Sequence, residues 1–170
     1  SSLHVKEELV AEFSENADTN HGIERRIPYT NQDGHNLTIK SPDDLKRSLK
    51  VTRDGHDEPY TVSLEDGYYN VRIGNADLYV HGKQTYTVEY DFTNVVTEFT
   101  ENNRTYQELY WDTNGIGWSQ PFGILTARVH FPDSVAIPDR NQTWCYVGQH
   151  YSNNQTRCKI TKTDDGYTYV

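Results

Sequence analysis

The sequence predicts an all-β fold, an antiparallel β-sandwich of two packed sheets with about ten strands, and three observations predict it. Apolar and polar residues alternate with a period of two along much of the chain, and no stripe of helical spacing competes. Gly, Asn and Asp interrupt that alternation at the short intervals expected of a sandwich or barrel. Tyr, Val, Thr and Ile fill the runs between the breaks. Thirteen Tyr and three Trp in 170 residues mark a chain that folds, because disordered chains are poor in aromatic and β-branched residues.

The strands follow in order. Leu3, Val5, Leu9, Ala11 and Phe13 share one parity, interrupted only by Glu7, and define a long first strand ending in polar residues 14–20. Leu49 and Val51 precede a turn at Asp54-Gly55. Tyr60, Val62 and Leu64 run to Glu65-Asp66-Gly67, and Tyr69, Val71 and Ile73 run to Gly74-Asn75. Tyr86, Val88, Tyr90 and Phe92 give the clearest strand. A strand at Tyr110-Trp111 precedes the turn 114–117, and Leu125, Ala127, Val129 and Phe131 alternate up to Pro132. Ile160, Tyr167 and Tyr169 form a last hairpin through Asp164-Asp165-Gly166. Only residues 42–48 read as a helical turn, with Asp43 and Asp44 at its start. With no long linker, residues 1–170 read as a single domain.

The formal charge is −9, and Arg25-Arg26 is the only basic cluster. Such a field repels phosphates, so no nucleic-acid partner is expected, and the acidity reads as a solvated surface. No run approaches the roughly 18 apolar residues of a membrane span. No signal peptide and no initiator Met are seen, so the chain is expected to be a fragment of something longer. Cys145 and Cys158 are too few for a zinc ribbon. They read as a disulfide, two free thiols, or a catalytic thiol beside His150. The polar Gly/Asn/Ser loop between them can turn back on itself and favours the disulfide, which implies an oxidising compartment.

Several blocks carry a family resemblance. Residues 21–28 (His21-Gly22-Ile23-Glu24-Arg25-Arg26-Ile27-Pro28) follow an amphipathic strand, and Tyr69-Asn70-Val71-Arg72-Ile73-Gly74-Asn75 and Tyr86-Thr87-Val88-Glu89-Tyr90 come later. The most specific block is Glu108-Leu109-Tyr110-Trp111-Asp112-Thr113-Asn114-Gly115-Ile116-Gly117-Trp118, followed by Pro121-Phe122 and by residues 127–132. In this order they resemble the bacterial predicted membrane proteins called Domain of Unknown Function 2207 (YciQ-like). The resemblance implies a β domain on the extracytoplasmic face of the bacterial cell membrane, anchored by transmembrane helices outside this sequence. It implies no activity. Asp112 stands where the family more often has Asn, and the chain stops at Val170, before final strands the family is expected to carry.

The candidate ligand-binding residues are Trp111, Asp112, Asn114, Trp118 and Arg25. Two readings of the Trp111–Trp118 segment compete. Exposed indoles beside Asp112 and Asn114 would stack on a sugar and fix its hydroxyls; alternatively both rings are core plugs where a turn caps the sandwich. Arg25 would clamp a carboxylate, or else Arg25 or Arg26 forms a structural ion pair with Glu108 or Asp112. No catalytic residues, cofactor or metal ligands are expected: the seven His are scattered, and the acidic turns lack calcium-loop spacing. A glycosidase pair such as Glu89 and Glu108 rests on nothing specific. Sequons at Asn36, Asn103, Asn141 and Asn154 indicate surface loops. The expected function is a non-catalytic extracytoplasmic module that binds a protein or envelope component. The alternative is a carbohydrate- or cell-wall-binding module using Trp111, Trp118 or Trp144.

Overall fold

A computed structural model describes residues 1–29, 41–115, 117–148, 152 and 154–170. The sequon at Asn36, the turn residue Ile116 and His150 lie outside the described residues. The chain divides into two compact units, residues 1–117 and 118–170.

In the first unit, strands β1 (Ser2–Phe13), β2 (Gly22–Pro28), β3 (Lys50–Arg53), β4 (His56–Asp57), β5 (Tyr60–Glu65), β6 (Tyr68–Gly74) and β7 (Gly82–Thr93) form two antiparallel sheets. One has the order β1-β7-β3-β4 and the other β2-β6-β5. The alternation seen in the sequence sets their faces. Along β1 the odd positions turn inward and the even ones are exposed, and along β7 Tyr86, Val88, Tyr90 and Phe92 are fully buried. Register places Val5 opposite Tyr90 and Leu9 opposite Tyr86, so the inward face of this pair is apolar except at Glu7. Val71, Tyr69, Ile73 and Ile27 face it from the second sheet, and together these residues make one core. Burying a single such side chain stabilises the fold by about 1.5–3 kcal/mol. The chain is therefore an all-β sandwich of packed antiparallel sheets.

The helical turn is present as α1 (Pro42–Ser48). Ser41 caps it by accepting a hydrogen bond from the Asp44 amide at 3.2 Å, Pro42 occupies the first turn, and Leu45 is driven fully into the core. Asp43 and Asp44 lie at the positive end of the helix and Lys46 and Arg47 at the negative end.

One element departs from expectation. Tyr110-Trp111 is not a strand; the chain instead forms a hairpin of β8 (Val96–Glu101) and β9 (Arg104–Leu109). Its turn residues Asn102 and Asn103 both take positive φ (49° and 60°), as a two-residue turn matched to strand twist requires. Every residue of β9 is exposed. With neither face buried, the hairpin has no apolar parity to betray it, and only Phe99 stacked on Tyr106 at 5.5 Å pairs rings across it.

In the second unit, β10 (Ala127–His130), β11 (Ile160–Lys162) and β12 (Gly166–Tyr169) form a sheet of order β10-β12-β11, with the expected hairpin joining the last two. Tyr167 is buried and donates to the Pro138 carbonyl at 2.8 Å. Cys145 and Cys158 form a disulfide, with Cα atoms 6.2 Å apart.

Gly22 and Gly74 stand opposite each other where β2 and β6 meet, at φ of 145° and 129°. A Cβ on Gly22 would lie 1.9 Å from the Ile73 carbonyl oxygen, and one on Gly74 1.9 Å from that of His21. Neither backbone can accept a side chain without the strands separating. Gly22→Ala or Gly74→Ala is expected to destabilise the first unit by roughly 1–3 kcal/mol or more, read as a lower urea midpoint, whereas Gly55→Ala, where a Cβ meets nothing within 4 Å, costs only its backbone strain.

Candidate functional site

The single interruption in β1 proves to be the centre of the first unit. Glu7 shares the inward parity of its apolar neighbours, so its carboxylate is carried between the sheets. On β2, Arg25 shares the inward parity of Ile23 and Ile27 and is only 1% exposed. The two meet as a fork: Arg25 donates from Nε to Glu7 Oε2 at 2.7 Å and from Nη2 to Oε1 at 2.8 Å. The Tyr90 hydroxyl donates to Glu7 Oε1 at 2.5 Å, and Arg25 Nη1 donates to the Arg26 carbonyl at 2.5 Å. Each guanidinium nitrogen thus donates at least one hydrogen bond, and the buried ion pair holds one sheet to the other. Burial alone would lower the Arg25 pKa, but the hydrogen bonds and charge of Glu7, with Tyr90, outweigh it and hold the guanidinium above its ordinary value. Burial, then the Glu7 charge, pushes the Tyr90 hydroxyl well up, so it stays a donor.

Arg25 is thus engaged inside the sandwich, and its partner is Glu7, not Glu108 or Asp112. Arg26 points to the opposite face. Its Nε donates to Asn70 Oδ1 at 3.1 Å, its guanidinium carbon lies 4.7 Å from the centre of the Tyr68 ring, and Asn70 in turn donates to Glu65 at 2.9 Å.

The turn that follows Trp111 closes over both arginines. Asp112 is exposed and accepts from the Gly115 amide at 3.2 Å, which shapes the turn. Gly115 has φ +71°, and a Cβ there would lie 2.8 Å from Arg25 Nη1; one on Gly117 would lie 2.7 Å from Arg26 Cδ. The sequence blocks around Gly22, Gly74 and Gly115 therefore converge on one strand, β2. Asn114 is half-buried in this turn. Trp111 is half-buried and packs on the core, 5.5 Å from Phe92. Trp118 belongs to the second unit, where it is half-buried and meets Phe122 edge-on at 5.5 Å. Trp144 is 54% exposed, more than either.

Clefts indent the first unit, and two of them are lined by titratable side chains. The larger, about 410 Å³, is lined by Leu49, Val51, Asp57, Glu58, Tyr60 and Glu89 among others. Two of its acids are in ion pairs: Glu58 pairs with Arg53 at 3.0 Å and Glu89 with Lys6 at 3.2 Å. Glu108, the other half of the conceivable glycosidase pair, lies on the exposed hairpin. The smaller, about 100 Å³, is lined by His21, Arg53, Glu58, Pro59, Asn75, Leu78 and Val80. Among the described residues no group of three or more His, Cys, Asp or Glu side chains is placed to hold a metal ion. Among the described residues no helix is long and apolar enough to cross a membrane.

Charge is unevenly shared. Residues 1–117 carry 21 acidic against 11 basic residues, and residues 118–170 carry 4 against 5, a net −10 and +1. The nearly neutral second unit exposes Phe122, Ile124, Val135, Trp144 and Tyr146. Sequence reasoning named Trp144 but not Tyr146; the signal for the pair is their i, i+2 spacing around a bridged cysteine.

These features define an all-β sandwich with an internal ion pair in its first unit and a disulfide in its second. The chain belongs to the family described as predicted membrane protein (DUF2207), N-terminal domain, whose model matches residues 1–170. No curated protein and no solved structure matches it.

Two outcomes follow from this geometry. Arg25→Met or Glu7→Leu alone leaves a buried charge unpaired and is expected to cost about 3–5 kcal/mol in denaturant unfolding, while the double substitution recovers most of that loss. The second concerns alkali. Burial raises Tyr69, Tyr90 and Tyr86, the last to about 12 through burial and the nearby Glu58 and Asp54 against the opposing Arg53. Between pH 10 and 12 the unfolded chain loses these protons first, so stability falls as pH rises; Tyr86→Phe is expected to remove roughly 2 kcal/mol of that fall.

Proposed function

We propose that this chain is a non-catalytic module on the extracytoplasmic side of a bacterial membrane protein, and that it binds a protein or envelope component through its second unit. The observation that carries this reading is the disulfide-braced second unit, which keeps large aromatic and aliphatic side chains exposed on a nearly neutral scaffold. Single exposed apolar residues are ordinary, but Phe122, Ile124, Trp144 and Tyr146 together are the kind of anchors that binding surfaces use. The disulfide supports an oxidising location. Glu58 and Glu89 of the larger cleft are tied into ion pairs, which favours binding over acid–base chemistry at those two positions. The exposure of Trp144 favours carbohydrate as the second reading.

In intact cells the chain is expected to be labelled by a membrane-impermeant amine reagent, and labelling only after permeabilisation would place it on the wrong side. A partner captured by the wild-type chain is expected to be lost when Phe122, Ile124 and Trp144 are replaced together by Ser, with the melting temperature within a few degrees of the parent. Retention of the partner by that variant moves the surface elsewhere.

A further inference from the structure

The segment Thr143–Val147 leaves a 3-10 turn (Arg140–Gln142) through Thr143, whose backbone is extended at φ −134° and ψ 135°. Alternate residues along it are tied down. The Thr143 hydroxyl is hydrogen-bonded to that of Tyr169, Cys145 is bridged to Cys158, and the Val147 amide donates to the Asn154 carbonyl at 2.9 Å. The Val147 carbonyl in turn accepts from Ser152 Oγ at 3.1 Å. Between these anchors stand Trp144 and Tyr146, 54% and 48% exposed. In an extended chain, residues two apart project to the same side about 7 Å apart. Two large exposed rings thus alternate with three anchored residues, a spacing that suits presentation on one side.

We infer that Trp144 and Tyr146 form a stacking platform for the sugar rings of an oligosaccharide, an assignment that rests on the binding-module reading above. Stacking needs flat faces, and a rigid scaffold lowers the entropy lost on binding. Nucleic-acid bases would stack equally well, but they need a basic groove, and this chain carries a net charge of −9. A protein-binding anchor is normally surrounded by further apolar surface. Here the apolar Val147 and the charged Arg140 are exposed nearby in sequence, and Asn141, Gln142, Ser152, Asn154 and Gln155 supply uncharged groups suited to hydroxyls. Sugars present that combination: apolar C–H faces for the rings and hydroxyls for the amides.

The test uses the chain with its disulfide intact. Intrinsic fluorescence is titrated with soluble peptidoglycan fragments, N-acetylglucosamine tetramer and cellotetraose, and in parallel with anionic phospholipid vesicles. A saturable change with at least one glycan is expected. Trp144→Ala and Tyr146→Ala, the latter still reporting through Trp144, should each weaken it by about tenfold or more, the usual worth of one stacked ring. Trp144→Phe and Tyr146→Phe, which keep a flat face, should retain most of the affinity, followed by calorimetry where the reporter is lost. No response to any glycan, alongside continued capture of a protein partner, overturns the platform and leaves the binding module standing. No response and no partner overturns both. Binding to vesicles but not glycans, or glycan binding indifferent to both rings, overturns the sugar assignment.

Discussion

The first unit depends on one buried contact between charges of opposite sign. Glu7 and Arg25 come from different sheets, and each would be costly inside the sandwich without the other. Their pairing therefore constrains both sheets. A slip of one residue in β1 against β7 would turn Leu3, Val5 and Leu9 to solvent and carry Glu7 away from Arg25 at the same time. Tyr90, on the strand beside β1, closes the arrangement by donating to the same carboxylate. The clamp adds little to net stability compared with an apolar pair of equal size. Its effect is to make wrong registers expensive.

Around the clamp the backbone approaches closely where side chains would intrude. The turn after Trp111 lies against both arginines, and the start of β2 lies against the end of β6. These contacts bind residues far apart in sequence to the same short strand. Trp111 belongs to this structural set, packed on Phe92, whereas Trp144 does not. Of the two tryptophans whose exposure the sequence left open, Trp111 buttresses the core and Trp118 is half-buried against Phe122.

Much of the sandwich was legible because a buried sheet face writes a period of two into the chain. β1, β5, β6 and β7 follow that rhythm, and the turns at Asp54, Asp66 and Asp164 follow from residue types that tolerate tight reversal. The β8–β9 hairpin was not legible, because neither of its faces is buried and its residues therefore show no one-sided pattern. Glu7 was visible as a break in parity, but its partner was not, since contacts between sheets leave no local mark. Arg25 carried the matching sign, a charge on the inward side of Ile23 and Ile27. Taken together, two charged residues of opposite sign at inward positions were the available clue. Tyr146 escaped notice because its exposure follows from a bridge at the residue before it.

The pairing of the first strand with the seventh also sets a timetable. Ser2 meets Thr93, and Phe13 meets Gly82, so β1 has no neighbour on that edge until some ninety residues have emerged. At ordinary rates of synthesis that interval is on the order of ten seconds. During it, a twelve-residue strand with one apolar side waits unpaired. The charges at Lys6, Glu8 and Glu12 on its other side, and the lone Glu7 within the apolar one, discourage newly made chains from joining edge to edge before β7 arrives. A carboxylate on the otherwise apolar side of an edge strand raises the cost of such joining, and the same carboxylate grips Arg25 in the folded unit.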